Sequence, residues 1–209
     1  IWTQIGSTVK LAMSSDALLG LAVTAHNNGT SCAAVLDNVS VNQAPVLAAP
    51  ADQSLLAGST LALSNSATDP DVPAQNLTFK LLSAPAGASL DSSSGLFSWR
   101  PSIAQSPTTN LILLAVSDSG VPNMAATQSF SVSVGSPARP TLGAPTLTNG
   151  QYGFWLQGDA GPDYTLEVSS NLLSWAPLAT LTPAALPCFW LDTNSAAAPC
   201  RVYRVLLGP

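Results

Sequence analysis

Apolar and polar residues alternate along this chain with a period of two, and proline or glycine breaks the pattern at intervals of roughly 8–15 residues. A period of two puts successive side chains on opposite faces of a strand, whereas a helix would need apolar residues about every 3.6 positions, and that pattern is missing. The chain is therefore expected to be all-β. The longest alternating run is at the start. Ile1, Ile5, Val9, Leu11 and Met13 fall on one face, and Trp2, Gln4, Thr8, Lys10 and Ala12 on the other. Leu19, Leu21 and Val23 alternate again. His26-Asn27-Asn28-Gly29 then makes a turn, because Asn-Gly tolerates positive φ. Ala33, Val35, Val39 and Val41 supply a third strand.

Asn42-Gln43-Ala44-Pro45 and Ser136-Pro137-Ala138-Arg139-Pro140 interrupt strand hydrogen bonding and mark two boundaries. They divide the chain into an incomplete three-strand segment (1–44), a β-sandwich (45–136) and a smaller sandwich (137–209). Strands are expected around Thr60–Leu63, Leu77–Leu82, Gly95–Trp99, Asn110–Ser117 and Ala126–Val134 in the middle region. In the last region they are expected near Gly153–Gln157, Tyr164–Ser169, Trp175–Leu181, Phe189–Asp192 and Arg201–Leu206. The number and spacing of these runs suit tandem sandwiches.

Only 8% of the residues are charged, against about 25% in an ordinary soluble domain. Six Lys and Arg, with no basic patch, exclude nucleic acid as a natural partner. Mean hydropathy is +0.30, yet no run of about 18 apolar residues could span a membrane. A surface this poor in charge is expected to be covered in part by glycans or by neighbouring subunits. The opening inside a strand pattern, without methionine, suggests a processed piece of a longer precursor.

The middle region carries Ala44-Pro45-Val46, Ala67-Thr68-Asp69-Pro70-Asp71, Leu77-Thr78-Phe79, Ala84-Pro85-Ala86-Gly87-Ala88, Gly95-Leu96-Phe97-Ser98-Trp99-Arg100-Pro101 and Val116-Ser117-Asp118. This text resembles the cadherin-like, immunoglobulin-type domains of large bacterial surface proteins. Phe79, Leu90, Phe97 and Trp99 are then core, and Gly87 and Gly95 make turns. Residues 140–209, through Gly161-Pro162-Asp163-Tyr164-Thr165-Leu166-Glu167-Val168, Trp175, Phe189, Asp192 and Arg201-Val202-Tyr203-Arg204-Val205, resemble a small immunoglobulin-like domain at the ends of secreted bacterial proteins. Residues 1–44, through Gly20-Leu21-Ala22-Val23-Thr24-Ala25-His26-Asn27 and Asp37-Asn38-Val39-Ser40-Val41, resemble the last strands of a laminin-G-like, concanavalin-like sandwich.

Chemistry-bearing residues are few. Asp69, Asp71 and Asp118 are hard oxygen donors in end loops, suited either to Ca²⁺ or to capping their own turns. The cadherin-like resemblance implies a Ca²⁺ site there, with Asn42 or Gln43 adding an oxygen; no other cofactor is implied. Cys188 and Cys200 lie close in sequence within a secreted-type domain and are expected to form a disulfide. Cys32 is left over as a small buried residue. The single histidine, His26, sits in a turn with no nucleophile motif around it. Trp2, Trp155 and Trp190 are either packed in cores and interfaces or exposed as sugar-stacking platforms.

No residue set supports catalysis, so the chain is expected not to be an enzyme. Three strands at 1–44 do not close a sandwich, and their edges need a partner. The expected partner is another copy of the chain. Residues 1–44, above all the strand bearing Ile1, Ile5, Val9, Leu11 and Met13, would add to a neighbour's sheet and build a bacterial extracellular fibre or surface assembly. The alternative is a non-catalytic adhesive or carbohydrate-binding module, with surface polysaccharide as partner.

Overall fold

The computed structural model describes residues 41–197 and 200–208. The expected assembly strand at Ile1–Met13, the turn at His26, Trp2 and Cys32 lie outside the described residues. The chain divides into two units, Ile1–Val39 and Ser40–Pro209. Residues 42 and 43, expected in a boundary, belong to the second unit because they hydrogen-bond to the sandwich that follows.

The described residues are all-β apart from two short 3-10 turns at Ile103–Gln105 and Ser195–Ala197. The first sandwich is built from β1 (Val46–Leu47), β2 (Gln53–Leu56), β3 (Leu61–Ser64), β4 (Ala67–Thr68), β5 (Thr78–Ser83), β6 (Ser89–Leu90), β7 (Leu96–Trp99), β8 (Thr108–Ser117) and β9 (Ala125–Gly135). One sheet runs β2-β9-β8-β5 and the other β3-β7-β6, with β1 paired to β4 beside them. β2 runs parallel to β9, and the other pairs are antiparallel.

Alternation sets the core. Ile112, Leu114 and Val116 on β8 and Phe130, Val132 and Val134 on β9 all point inward, and all are buried. From the opposite sheet come Phe97 and Trp99, and Phe97 meets Phe130 edge to face at 5.6 Å. That geometry suits the ring quadrupoles as well as the loss of apolar surface to water. The Trp99 indole N–H donates to the Ala86 carbonyl at 3.2 Å, so the largest core side chain leaves no donor unpaired. Phe79 is buried as expected, and Leu90 packs half-buried at the edge of the cluster. Gly95, at φ 70°, tolerates no side chain. A Cβ there would stand 2.6 Å from the Asn65 carbonyl oxygen.

The second sandwich comprises β10 (Thr141–Leu142), β11 (Thr146–Thr148), β12 (Gln151–Gln157), β13 (Tyr164–Ser169), β14 (Ala176–Leu181), β15 (Cys188–Asp192) and β16 (Val202–Leu207). β10 and β11 share one edge of β12 and β15 takes the other; β14-β13-β16 forms the facing sheet. Phe154, Leu156, Tyr164 and Leu166 are buried between the two sheets. The described strands of both sandwiches lie within residues 46–207.

Candidate functional site

Three places concentrate polar chemistry: the pole where the chain enters the first sandwich, the junction between the sandwiches, and the far end of the second. At the entry pole, Asp71 and Asp118 are both buried. Asp118 Oδ1 accepts from the backbone N–H of Gly120 (3.0 Å) and Met124 (2.9 Å), and Oδ2 accepts from Asn42 Nδ2 (3.0 Å). Burial pushes this carboxyl up, but those three donors outweigh it and hold the group below the usual range. Asp71 Oδ2 accepts from the Gln43 backbone N–H (3.0 Å) and from Gln75 Nε2 (2.8 Å), and its Oδ1 accepts from Gln43 Nε2 (3.3 Å). Asn42 Nδ2 also donates to the Pro122 carbonyl at 2.8 Å.

This network engages the residues expected to hold Ca²⁺. Asp69 caps its own turn, its Oδ1 accepting from the Asp71 N–H at 2.9 Å. Asp71 and Asp118 face amide and backbone nitrogens, where Ca²⁺ would require six to eight converging oxygens. Asp69 Oδ2 and Gln75 Oε1 are buried without a partner, but two oxygens do not make a coordination sphere. No group of three or more His, Cys, Asp or Glu is placed to hold a metal ion among the described residues. The residues present therefore do not fit a resident Ca²⁺. Asn42 and Gln43 were expected to offer oxygen to a cation, and instead they offer N–H to carboxylates. Accordingly, excess EDTA is expected to leave the thermal midpoint unchanged, whereas Asn42→Ala should lower it by a few degrees through the lost hydrogen bond to a charged group. A midpoint that drops on chelation and returns with Ca²⁺ would overturn this reading.

At the junction, Arg100 follows β7 and reaches the second sandwich. Its Nη1 and Nη2 donate to Asp163 Oδ2 and Oδ1 at 3.0 and 2.9 Å, its Nη2 also to the Gly161 carbonyl at 3.0 Å, and its Nε to Gly58 O at 2.6 Å. Thr182 Oγ1 adds a 2.6 Å bond to Asp163 Oδ1. Hydrogen bonds from Arg100 and then Thr182 hold the Asp163 carboxyl below the usual range. The backbones touch as well: a Cβ on Gly58 would stand 2.6 Å from Pro162 Cα. A planar guanidinium satisfying one carboxylate and two carbonyls from both domains is a clamp that lysine could not reproduce.

At the far end of the second sandwich the expected Cys188–Cys200 disulfide is not formed; both thiols are free. The physical reason is strand geometry. β15 begins at Cys188 and carries the chain four residues, roughly 13 Å, to Asp192. Cys200 lies beside Arg201, which returns to bond Asp192. Cys188 therefore begins β15, whereas Cys200 precedes the residue that bonds its other end at Asp192. Burial pushes the Cys188 thiol up, which keeps it protonated.

The tryptophans separate. Trp190 turns inward against Phe154 at 5.3 Å. Trp155 stands 46% exposed beside Phe189, 45% exposed, with ring centroids 5.4 Å apart. No helix among the described residues is long and apolar enough to cross a membrane.

Residues 44–135 match the family model described as "Putative Ig domain". No curated protein matches the chain. Among solved structures, the chain is similar to the protocadherin GammaB4 extracellular domain at 20% identity and TM-score 0.37, covering 51% of this chain and 19% of that one. It is similar to the third cadherin domain from human protocadherin 7 at 19% identity and TM-score 0.37, covering 48% and 93%. It is also similar to a nucleoside hydrolase-related hypothetical protein from Saccharophagus degradans, associated with carbohydrate metabolism, at 26% identity and TM-score 0.36, covering 44% and 26%. The chain thus spans about a fifth of the protocadherin GammaB4 ectodomain. Residues 44–135, the segment that folds as the first sandwich, are thus similar to the putative immunoglobulin-type domain family.

Proposed function

We propose that this chain is a structural subunit of a bacterial extracellular fibre or surface assembly, whose copies join head-to-tail by β-strand addition through residues 1–44. The observation that supports this is that the described strands within residues 46–207 already build two facing sheets in each sandwich. On this reading the alternating strand at Ile1–Met13 pairs with the sheet of a neighbouring copy. Left uncovered, its apolar face would be a stripe that soluble monomers rarely tolerate. Each Ile or Leu side chain buried at a junction contributes roughly 1.5–3 kcal/mol, set against the cost of ordering the strand. The Arg100 clamp suits such a subunit, because a rod transmits load only if its domains do not swing.

Electron microscopy of the full chain and of a chain lacking residues 1–13 tests the proposal. Fibres are expected from the full chain, and folded, unpolymerised two-domain particles from the truncation. A full chain that stays monomeric at high concentration, or a truncation that still polymerises, would sink the assembly reading. The second reading, a non-catalytic adhesive or carbohydrate-binding module, is favoured by the exposed Trp155–Phe189 pair.

A further inference from the structure

The outward face of the sheet formed by β10, β11, β12 and β15 has an unusual composition. Trp155 and Phe189 are directly opposed across the β12–β15 ladder. Their neighbour on β12 is Gly153, and a Cβ there would collide with the Phe189 ring. The missing side chain lets that ring lie down over the strand, so that it forms a platform with the indole. The tilt between the rings is 59°. Around them the outward positions carry Leu191, opposite Gly153, and a rim of Thr141, Thr146, Thr148, Gln151 and Gln157. No ionisable side chain occupies an outward position on these four strands. A shallow cleft of about 280 Å³ opens beside Phe189, toward the turn at Thr182–Ala185.

We infer that this face is a binding site for a neutral polysaccharide, with Trp155 and Phe189 as the stacking platform and the threonine and glutamine rim bonding the sugar hydroxyls. The chemistry selects that occupant. A pyranose ring presents an apolar C–H face that packs on aromatic carbon and an equatorial belt of hydroxyls that both donate and accept. Amide and hydroxyl side chains answer both roles. Uronic or sulfated glycans would need cations that this face does not carry, and an acidic or basic peptide would find no countercharge. A hydrophobic protein partner would demand a broader apolar centre than two rings and one leucine within a hydroxyl and amide rim. The site is independent of the assembly proposal, since a chain that forms no fibre can still bind and a fibre can form without binding.

The test is native affinity electrophoresis of the full chain in gels containing galactomannan, xyloglucan, laminarin, xylan or pullulan, with alginate as the acidic comparison. At least one neutral polysaccharide should retard the protein while alginate does not. Trp155→Ala and Phe189→Ala should each weaken that retardation by about tenfold or more, as truncation of a central aromatic anchor does. Leu173→Ala, which removes an exposed apolar side chain elsewhere, should not. Unchanged thermal midpoints in both variants would separate lost binding from lost folding. The inference fails if none of the neutral polysaccharides retards the chain, if alginate is preferred, or if both aromatic variants bind as the native protein does. Self-association that depends on Trp155 without glycan binding would assign the face to a second copy and overturn it too.

Discussion

Asp192→Ala is expected to unfold the C-terminal sandwich selectively, at a cost of about 3–5 kcal/mol, the range found when one partner of a buried ion pair is removed. Asp192 is 2% exposed and closes the end of β15. Its Oδ2 accepts from Arg201 Nη1 at 2.6 Å and from the Tyr203 hydroxyl at 2.9 Å, and its Oδ1 accepts from the Asn194 N–H at 3.0 Å. Its backbone carbonyl accepts from Ser195 Oγ (2.7 Å), which in turn accepts the Tyr152 N–H (2.7 Å). The carboxylate therefore ties the return loop to the last strand, while the backbone carbonyl, through Ser195, holds the start of β12. Alanine would strand a guanidinium that is 18% exposed and a half-buried phenol. Denaturant melts that follow the aromatic signal of the second sandwich would measure the loss. A change below about 1 kcal/mol would mean that water replaces the carboxylate at little cost.

The same cluster predicts an alkaline limb. Burial first, then the hydrogen bond to Asp192 and that residue's charge, push the Tyr203 phenol up to about 12. A raised folded-state value means that the stabilisation is complete below the ordinary tyrosine value of about 10 and is lost as pH rises from there through 12. Tyr203→Phe should flatten that limb in a pH-stability profile.

The long strands were legible because long strands have a period. Tyr164–Ser169 is β13, and Asn110–Ser117 and Ala126–Val134 lie within β8 and β9. The elements without a sequence signal are β1, β2, β4, β6, β10 and β11, each of two to four residues. So few positions cannot display alternation, and their pairing depends on partners distant in sequence, as with β2 on β9. The site residues divide in a similar way. Asp71 and Asp118 were legible as polar groups in end loops, but their partners were not: whether a carboxylate meets a cation or an amide is decided by how Asn42, Gln43 and Gln75 are turned. Asp192, Arg201 and Tyr203 stood out in the sequence only as family text. The signal that could have found their contact is the rarity of charge itself, since six basic residues in 209 leave few cations for a buried acid. Arg100 carried the same signal.

Arg100→Ala should convert a chain that melts in one calorimetric transition into one that melts in two. The Arg100 side chain makes four hydrogen bonds across or beside the junction. Hydrogen bonds to charged groups contribute about 1.5–3 kcal/mol each when buried. The Arg100 side chain is 39% exposed and Asp163 23%, so screening by water reduces the coupling to about 2 kcal/mol in total. That suffices to hold two marginal domains in one cooperative unit and is small enough to be lost with a single side chain. Arg100→Lys keeps the charge but not the fork, and should behave nearly as the alanine variant does. Acid should mimic the mutation. Because the Asp163 carboxyl is held below its ordinary value, its contribution is intact above the usual carboxylate range, near pH 4, and disappears as pH falls through the depressed value. Asp163→Asn should therefore remove the acid limb while uncoupling the domains at neutral pH. Small-angle scattering gives a second readout, since a chain freed at this joint samples a wider range of interdomain angles and its largest dimension broadens. If Arg100→Ala leaves both the single transition and the scattering profile unchanged, the rigidity of the pair comes from the Gly58–Pro162 backbone contact and the short linker, and the guanidinium is a passenger.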